Sequence, residues 1–262
     1  MKKSWNRRDL MKVIGGVAGT GVAGAFLAHA AAGQAQTSPA PSMRKVPWPY
    51  SPLDPDPVAQ RGFESYYKFR CMYGSFESIV GTTAEKLGAP YTDFPFELFK
   101  FGEGGINGWG TVCGAISGCA AAFCVLSPKP DVLIDTLFSW YETEPLPNVR
   151  PKGSKFPEVR VVAGSPLCHQ SLSRWSKASK KKIYSGERSE RCASITASAV
   201  HKSILLLNEQ AKGVVLPAVV LPGKTPGCMT CHEKGGVLEN TRGKQECGVC
   251  HTTLPASHPK KL

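Results

Sequence analysis

Residues 111–126, TVCGAISGCAAAFCVL, form a compact apolar run that predicts a helix. Gly114 and Gly118 are small residues four positions apart, a spacing that lets another backbone approach closely. Pro128 and Pro130 end the run. It also holds three cysteines, Cys113, Cys119 and Cys124. On one helix Cys113 and Cys124 lie about 16.5 Å apart along the axis, and Cys113 and Cys119 about 9 Å apart on different faces. No pair within this segment can therefore bind the same small cluster.

Outward from this segment the chain remains helical. Gly62–Leu87 carries Phe63, Tyr66, Tyr67, Phe69, Met72, Phe76, Ile79 and Val80 in a helical pattern, with Cys71 in its middle. Phe94–Phe101 reads as a short helix. Gly102–Gly110 reads as a tight turn, lacking the Lys-Ser/Thr of a phosphate loop and the βαβ context of a dinucleotide site. Asp131–Glu142 is amphipathic helix. Residues 143–164 are loop-like, with at most a short strand at Val159–Val162. Ser165 and Pro166 serve as N-cap and first helical residue of a helix carrying Cys168 and His169. After the basic turn Lys177–Lys182, Ser185–Glu209 is a long helix bearing Cys192 and His201. From residue 213 onward Gly, Pro and Lys increase and periodicity fades.

The other end of the chain is a separate matter. Residues 1–36 combine Arg7-Arg8, Lys12 and a weakly apolar Gly/Ala run, the pattern of a twin-arginine export signal. Gly15, Gly16, Gly19, Gly21 and Gly24 make the run a poor membrane anchor. No other stretch approaches 18 apolar residues, so the mature chain is expected to have no membrane span. Residues 37–60 hold seven prolines and read as an extended arm that is neither helix nor central strand. The whole chain of 262 residues carries a formal charge of +12, with 20% charged and 42% hydrophobic residues, which excludes disorder. Without residues 1–36 there remain 27 basic and 19 acidic residues, a balance of +8. Export to the periplasm makes nucleic acid an improbable partner and leaves periplasmic redox proteins as candidates. The expected fold class is mostly α. A helical cysteine-rich body (61–212) precedes a loop-rich C-terminal module (213–262).

That module contains one motif twice: Cys228-Met229-Thr230-Cys231-His232 and Cys247-Gly248-Val249-Cys250-His251. Cys-x-x-Cys-His is the attachment signature of c-type haem. Two thiols three positions apart add across the vinyl groups of one porphyrin, and the adjacent His becomes the proximal iron ligand. Four Cys and two His could also make a zinc site, but that would leave the paired Cys-His order unexplained. Two haem c groups per chain are expected, and only 15 residues between Cys231 and Cys247 make them neighbours.

The sixth ligands are drawn from few residues. The methionines outside residues 1–36 are Met43, Met72 and Met229, the first two far upstream and the third inside a motif. Bis-histidine ligation is therefore favoured. His201, on a long helix, and His258, in the module itself, rank above His169, whose position beside Cys168 suggests a role near that cysteine. Pro255 and Pro259 stiffen the segment around His258, so reaching back over its own haem would demand a tight reversal. A neighbouring subunit's haem could be reached by extension.

Six cysteines remain: Cys71, Cys113, Cys119, Cys124, Cys168 and Cys192. Disulfides are one reading for an exported chain. An iron–sulfur centre is the sharper one, because twin-arginine transport carries proteins folded in the cytoplasm, often around a cofactor inserted there.

Cys113-Gly114-Ala115-Ile116-Ser117-Gly118 resembles the Cys-Gly-Ala-x-x-Gly signature of a redox-active family with four shared cysteines. The other three map to Cys71, Cys168 and Cys192. With two haem motifs appended, residues 60–260 resemble the split-Soret cytochromes c of anaerobic, nitrate- or sulfate-respiring bacteria. The resemblance implies a homodimer with two stacked bis-histidinyl haems per subunit. It also implies that each iron takes one histidine from the partner, and that a [2Fe–2S]-type centre sits in the cysteine body. Cys119 and Cys124 fall outside the four-cysteine pattern.

The resulting reading is a periplasmic dihaem electron carrier rather than an enzyme. Two rivals stand beside it: a small multihaem reductase with one open haem position, and a thiol–disulfide redox protein with accessory haems.

Overall fold

The computed structural model describes residues 45–254 and 258. The export-signal reading of residues 1–36 lies outside them, as do residues 37–44 of the arm. Six α-helices occur among the described residues: α1 (Pro55–Leu87), α2 (Gly114–Leu126), α3 (Pro130–Thr143), α4 (Cys168–Ser179), α5 (Gly186–Ala211) and α6 (Thr225–His232). The one sheet among the described residues is a pair of two-residue strands, β1 (Pro145–Leu146) and β2 (Val161–Val162), antiparallel with Pro145 opposite Val162. The fold is mostly α, as the sequence pattern predicts.

α1 begins seven residues before the Gly62 start, inside the segment expected to be extended arm. Asp54 caps it by accepting from the Asp56 N–H. Pro55 and Pro57 fall in the first turn, where no backbone donor is needed, so they start a helix instead of preventing one. The rest of the described arm is packed down. The Trp48 N–H donates to Val125 O, and the Tyr50 and Asn208 side chains are hydrogen-bonded at 2.8 Å.

α1 is also not one rod. Phe69 and Arg70 leave helical geometry, Arg70 with φ 69° and ψ −164°. The halves before and after the break lie side by side. Ser65 Oγ donates to Glu77 Oε2 at 2.6 Å, and Arg61 bonds both Glu77 and Glu85. A Cβ on Gly74 would stand 2.9 Å from Tyr66 N, which shows how closely the two backbones approach. The break sets Cys71 at the start of the second half.

α2 packs on that second half through its glycines. A Cβ on Gly114 would lie 2.1 Å from Gly102 O and 2.8 Å from Cys71 Sγ; one on Gly118 would lie 2.2 Å from Ser75 Oγ. The core is built from Phe76 and Ile79 of α1, Ile116 and Phe123 of α2, Leu133 and Leu137 of α3, and Ile204 and Leu207 of α5. Full burial of each such side chain contributes about 1.5–3 kcal/mol. Phe94 and Phe99 close one side of it against Phe76, the Phe76–Phe99 centroids being 4.1 Å apart.

Two helix starts differ from the sequence reading. α2 starts at Gly114, leaving Cys113 as its N-cap, and α4 starts at Cys168 with Leu167 at the cap. Residues 111–113 instead pair with 166–168. Val112 bridges Leu167, the Cys113 N–H donates to Pro166 O at 2.8 Å, and the Cys168 N–H to Thr111 O at 2.7 Å. Ser165 is not the cap; its hydroxyl accepts from the Leu167 N–H. Among the described residues no helix is long and apolar enough to cross a membrane.

Candidate functional site

Four elements bring four cysteines to one cavity of about 410 Å³. Cys71 comes from the break in α1 and Cys113 from the cap of α2. Cys168 comes from the first turn of α4, joined to Cys113 by the 112–167 bridge, and Cys192 from α5. The Gly102–Gly110 turn forms part of the mouth, with Gly104, Gly108 and Gly110 at positive φ. His169 stands at the same cavity, Nδ1 2.9 Å from Gly110 O.

All ten cysteines are unpaired. Burial raises the Cys71, Cys113 and Cys168 thiols, and their mutual proximity raises Cys71 and Cys168 further. Arg191 opposes this at Cys113 and Cys168, since a nearby cation favours the thiolate. Among the described residues no three or more His, Cys, Asp or Glu side chains are gathered to hold a single metal ion. The four thiols line the cavity rather than meet at a point. Cys119 is elsewhere: fully buried in the core beside Ser75 and Ser203, with burial pushing its thiol to about 12. Cys124 is exposed on α2.

The second site is the C-terminal module. α6 carries Cys228, Cys231 and His232, and a single 3₁₀ turn (Cys247–Val249) opens the second motif. Thr225, fully buried, ties the two together: its hydroxyl donates to Gln245 O at 2.9 Å and accepts from the Cys247 N–H at 3.1 Å. Glu246 accepts from the Lys224 and Gly248 N–H groups. Cys228 and Cys247 are neighbours, and after slight burial it is Cys247 that raises the Cys228 thiol. His232 Nδ1 is 2.7 Å from Asn240 Oδ1, which fixes the ring and leaves Nε2 for a metal. The His258 ring lies 6.2 Å from the His232 ring at 20°.

His258 thus turns toward the first motif of its own chain, where the sequence reading sends it outward to another subunit. His201 is placed apart, Nε2 3.3 Å from Asp56 Oδ1 on the α5–α1 face. The sequence reading missed Thr225, Asn240, Tyr141 and Arg191. Thr225 and Asn240 carry no pattern of their own; Tyr141 reads as core, and Arg191 as one more charge on a polar helix.

A curated relative, the split-Soret cytochrome c of Desulfovibrio desulfuricans, is 36% identical over 274 aligned positions, covering 97% of each chain. The chain belongs to the split-Soret cytochrome c family. It is therefore an electron-transfer protein of the cytochrome c kind. A solved structure, described as a novel iron centre in the split-Soret cytochrome c from the same species, matches with a TM-score of 0.74 and 36% identity. That match covers 81% of this chain and 93% of the other. Residues 73–204 match the family described as "Putative redox-active protein (C_GCAxxG_C_C)". Cys113-Gly114-Ala115 lies within the matched residues. Position 114 faces Gly102 O and has no room for a side chain. The sulfur sits one residue earlier, on the cap.

Proposed function

We propose that this chain is a periplasmic, twin-arginine-exported cytochrome that carries electrons in anaerobic respiration as a homodimer. It would hold two haem c groups and an additional iron–sulfur centre per chain. The observation that carries this reading is the pinning of two Cys-x-x-Cys-His motifs to each other through Thr225, which fits two adjacent covalent haems. The surroundings fit such groups as well. Val215 is 90% and Val237 87% exposed, apolar surface of the kind a porphyrin face covers.

Cys228 and Cys231 would form the thioethers of the first haem and Cys247 and Cys250 those of the second, with His232 and His251 as proximal ligands. Bound haem supplies a one-electron Fe(III)/Fe(II) couple. Asn240 orients His232 through Nδ1. The 6.2 Å between His232 and His258 supports His258 as the distal ligand on the first iron within one chain. His201, partly exposed on α5, is the residue available to a partner subunit's second iron, and His169 the substitute. Dimerisation and ligation would then be one equilibrium.

An iron–sulfur centre spans several atoms, so four thiols around a cavity suit it better than four thiols at a point. Cys71, Cys113, Cys168 and Cys192 would hold it; an iron centre is described in the split-Soret cytochrome c of Desulfovibrio desulfuricans. Protein purified anaerobically should contain two covalent haems, low-spin in both oxidation states, together with non-haem iron and acid-labile sulfide. Cyanide or CO binding to the resting protein would favour the reductase reading instead. Iron in haem stoichiometry only, with the four thiols paired as disulfides, would favour the thiol–disulfide reading.

A further inference from the structure

Two polar groups of the cysteine cavity have no partner. Tyr141 is fully buried, and its hydroxyl lies within reach of the Cys113 thiol and the Ser171 hydroxyl but makes no well-formed hydrogen bond to either. Arg191 is 6% exposed, and its Nε–H is likewise buried and unpartnered. Both line the cavity that holds Cys71, Cys113, Cys168 and Cys192. Leaving a buried donor unsatisfied costs about 1–3 kcal/mol, and a buried charge without a counter-charge costs more.

Arg191 has no carboxylate within ion-pair distance among the described residues. Its guanidinium is held by α4. One terminal nitrogen donates to Ser171 Oγ at 2.9 Å and to Ser171 O at 3.3 Å, and the group stands 5.7 Å from the Trp175 ring centre. Such anchoring is what a fixed cation facing an anionic ligand requires. Four cysteine thiolates around iron and sulfide form an anion of this kind.

We propose that Arg191 and Tyr141 are the donor floor of the cysteine site. The Arg191 guanidinium is the buried counter-charge, and its Nε–H and the Tyr141 O–H donate to the sulfur atoms of the iron–sulfur centre. The inference rests on the iron–sulfur reading given above. Donors to sulfur stabilise the reduced, more negative state, so these two residues raise the centre's reduction potential. Arg191 also favours the thiolate form of Cys113 and Cys168 that metal binding needs.

The test uses the full-length protein purified anaerobically as wild type, Arg191→Gln, Arg191→Lys and Tyr141→Phe. Non-haem iron, labile sulfide, the midpoint potential of the non-haem centre and the haem bands are measured on each. Arg191→Gln should keep both haems and lose more than half of the non-haem iron and sulfide, with content restored in Arg191→Lys. Tyr141→Phe should keep its iron and move the non-haem midpoint to more negative potential, the haem midpoints staying in place. If wild type is loaded and all three variants match it in content and midpoint, the inference is overturned while the iron–sulfur reading stands. Wild type with haem iron alone overturns both. Should Arg191→Gln fail to fold, unchanged midpoints in Arg191→Lys and Tyr141→Phe overturn the inference.

Discussion

The ring of His258 lies 6.2 Å from the ring of His232, tilted by 20°. That proximity is the basis for proposing His258 as the second ligand of the first haem. His258→Ala should therefore convert one haem of each chain to a high-spin spectrum while the other stays low-spin, and should leave the dimer constant unchanged. His201→Ala should disturb the other haem and weaken the dimer at the same time. Absorption spectroscopy and sedimentation of the two variants separate these outcomes. Two low-spin haems in His258→Ala would remove it as a ligand.

The thioether assignment predicts mass. The chain should exceed its apo mass by two haems, and acid–acetone should extract neither. Cys250→Ser should leave the second haem attached by a single bond, visible as a red-shifted reduced α band. Extractable haem, or a one-haem mass, would contradict the pairing of the two motifs.

The α1–α2 contact predicts a stability loss. Gly114→Ala places a Cβ 2.1 Å from Gly102 O, and Gly118→Ala one 2.2 Å from Ser75 Oγ. Each should cost about 1–3 kcal/mol, because neither neighbour can retreat without moving backbone or a buried hydroxyl. Thermal unfolding measures the loss. Gly114→Ala should also lower non-haem iron, since the added methyl approaches Cys71 Sγ.

Glu142 predicts a pH dependence. The residue is 4% exposed, and one carboxyl oxygen is buried without a partner in the cavity between α3 and residues 217–222 and 244–245. Burial raises its pKa from 4.5 to about 7; the Glu246 N–H opposes this and the Glu246 carboxylate adds to it. Asp135, paired with Lys244, also faces this cavity. The folded chain holds this proton more tightly than the unfolded chain. The stabilisation is therefore complete below about pH 4.5 and lost as pH rises through about 7. Glu142→Gln should melt higher than wild type at pH 8, by up to about 3 kcal/mol, and the gap should close by pH 5. An equal gap at both values would show that the carboxyl does not titrate there.

The two sites were not equally legible. Everything that makes Cys228–His232 and Cys247–His251 haem motifs lies within five consecutive residues, so no folding is needed to bring the reacting groups together, and the sequence alone determined them. The helical class was equally open, because apolar spacing reports a helix wherever one face is buried. The cysteine site depends on contacts remote in sequence. The break at Phe69–Arg70 is invisible to periodicity, since the halves on either side bury their apolar faces in the same core. Cys113 and Cys168 meet through a backbone bridge that no side-chain pattern announces. The donors at the cavity floor are an ordinary core tyrosine and an ordinary helical arginine until α3, α4 and α5 enclose them. Only the tertiary structure decided that these two residues, each with a buried and unpartnered polar atom, line the same cavity as four thiols, because burial without a partner is a property of the packed neighbourhood and not of the residue.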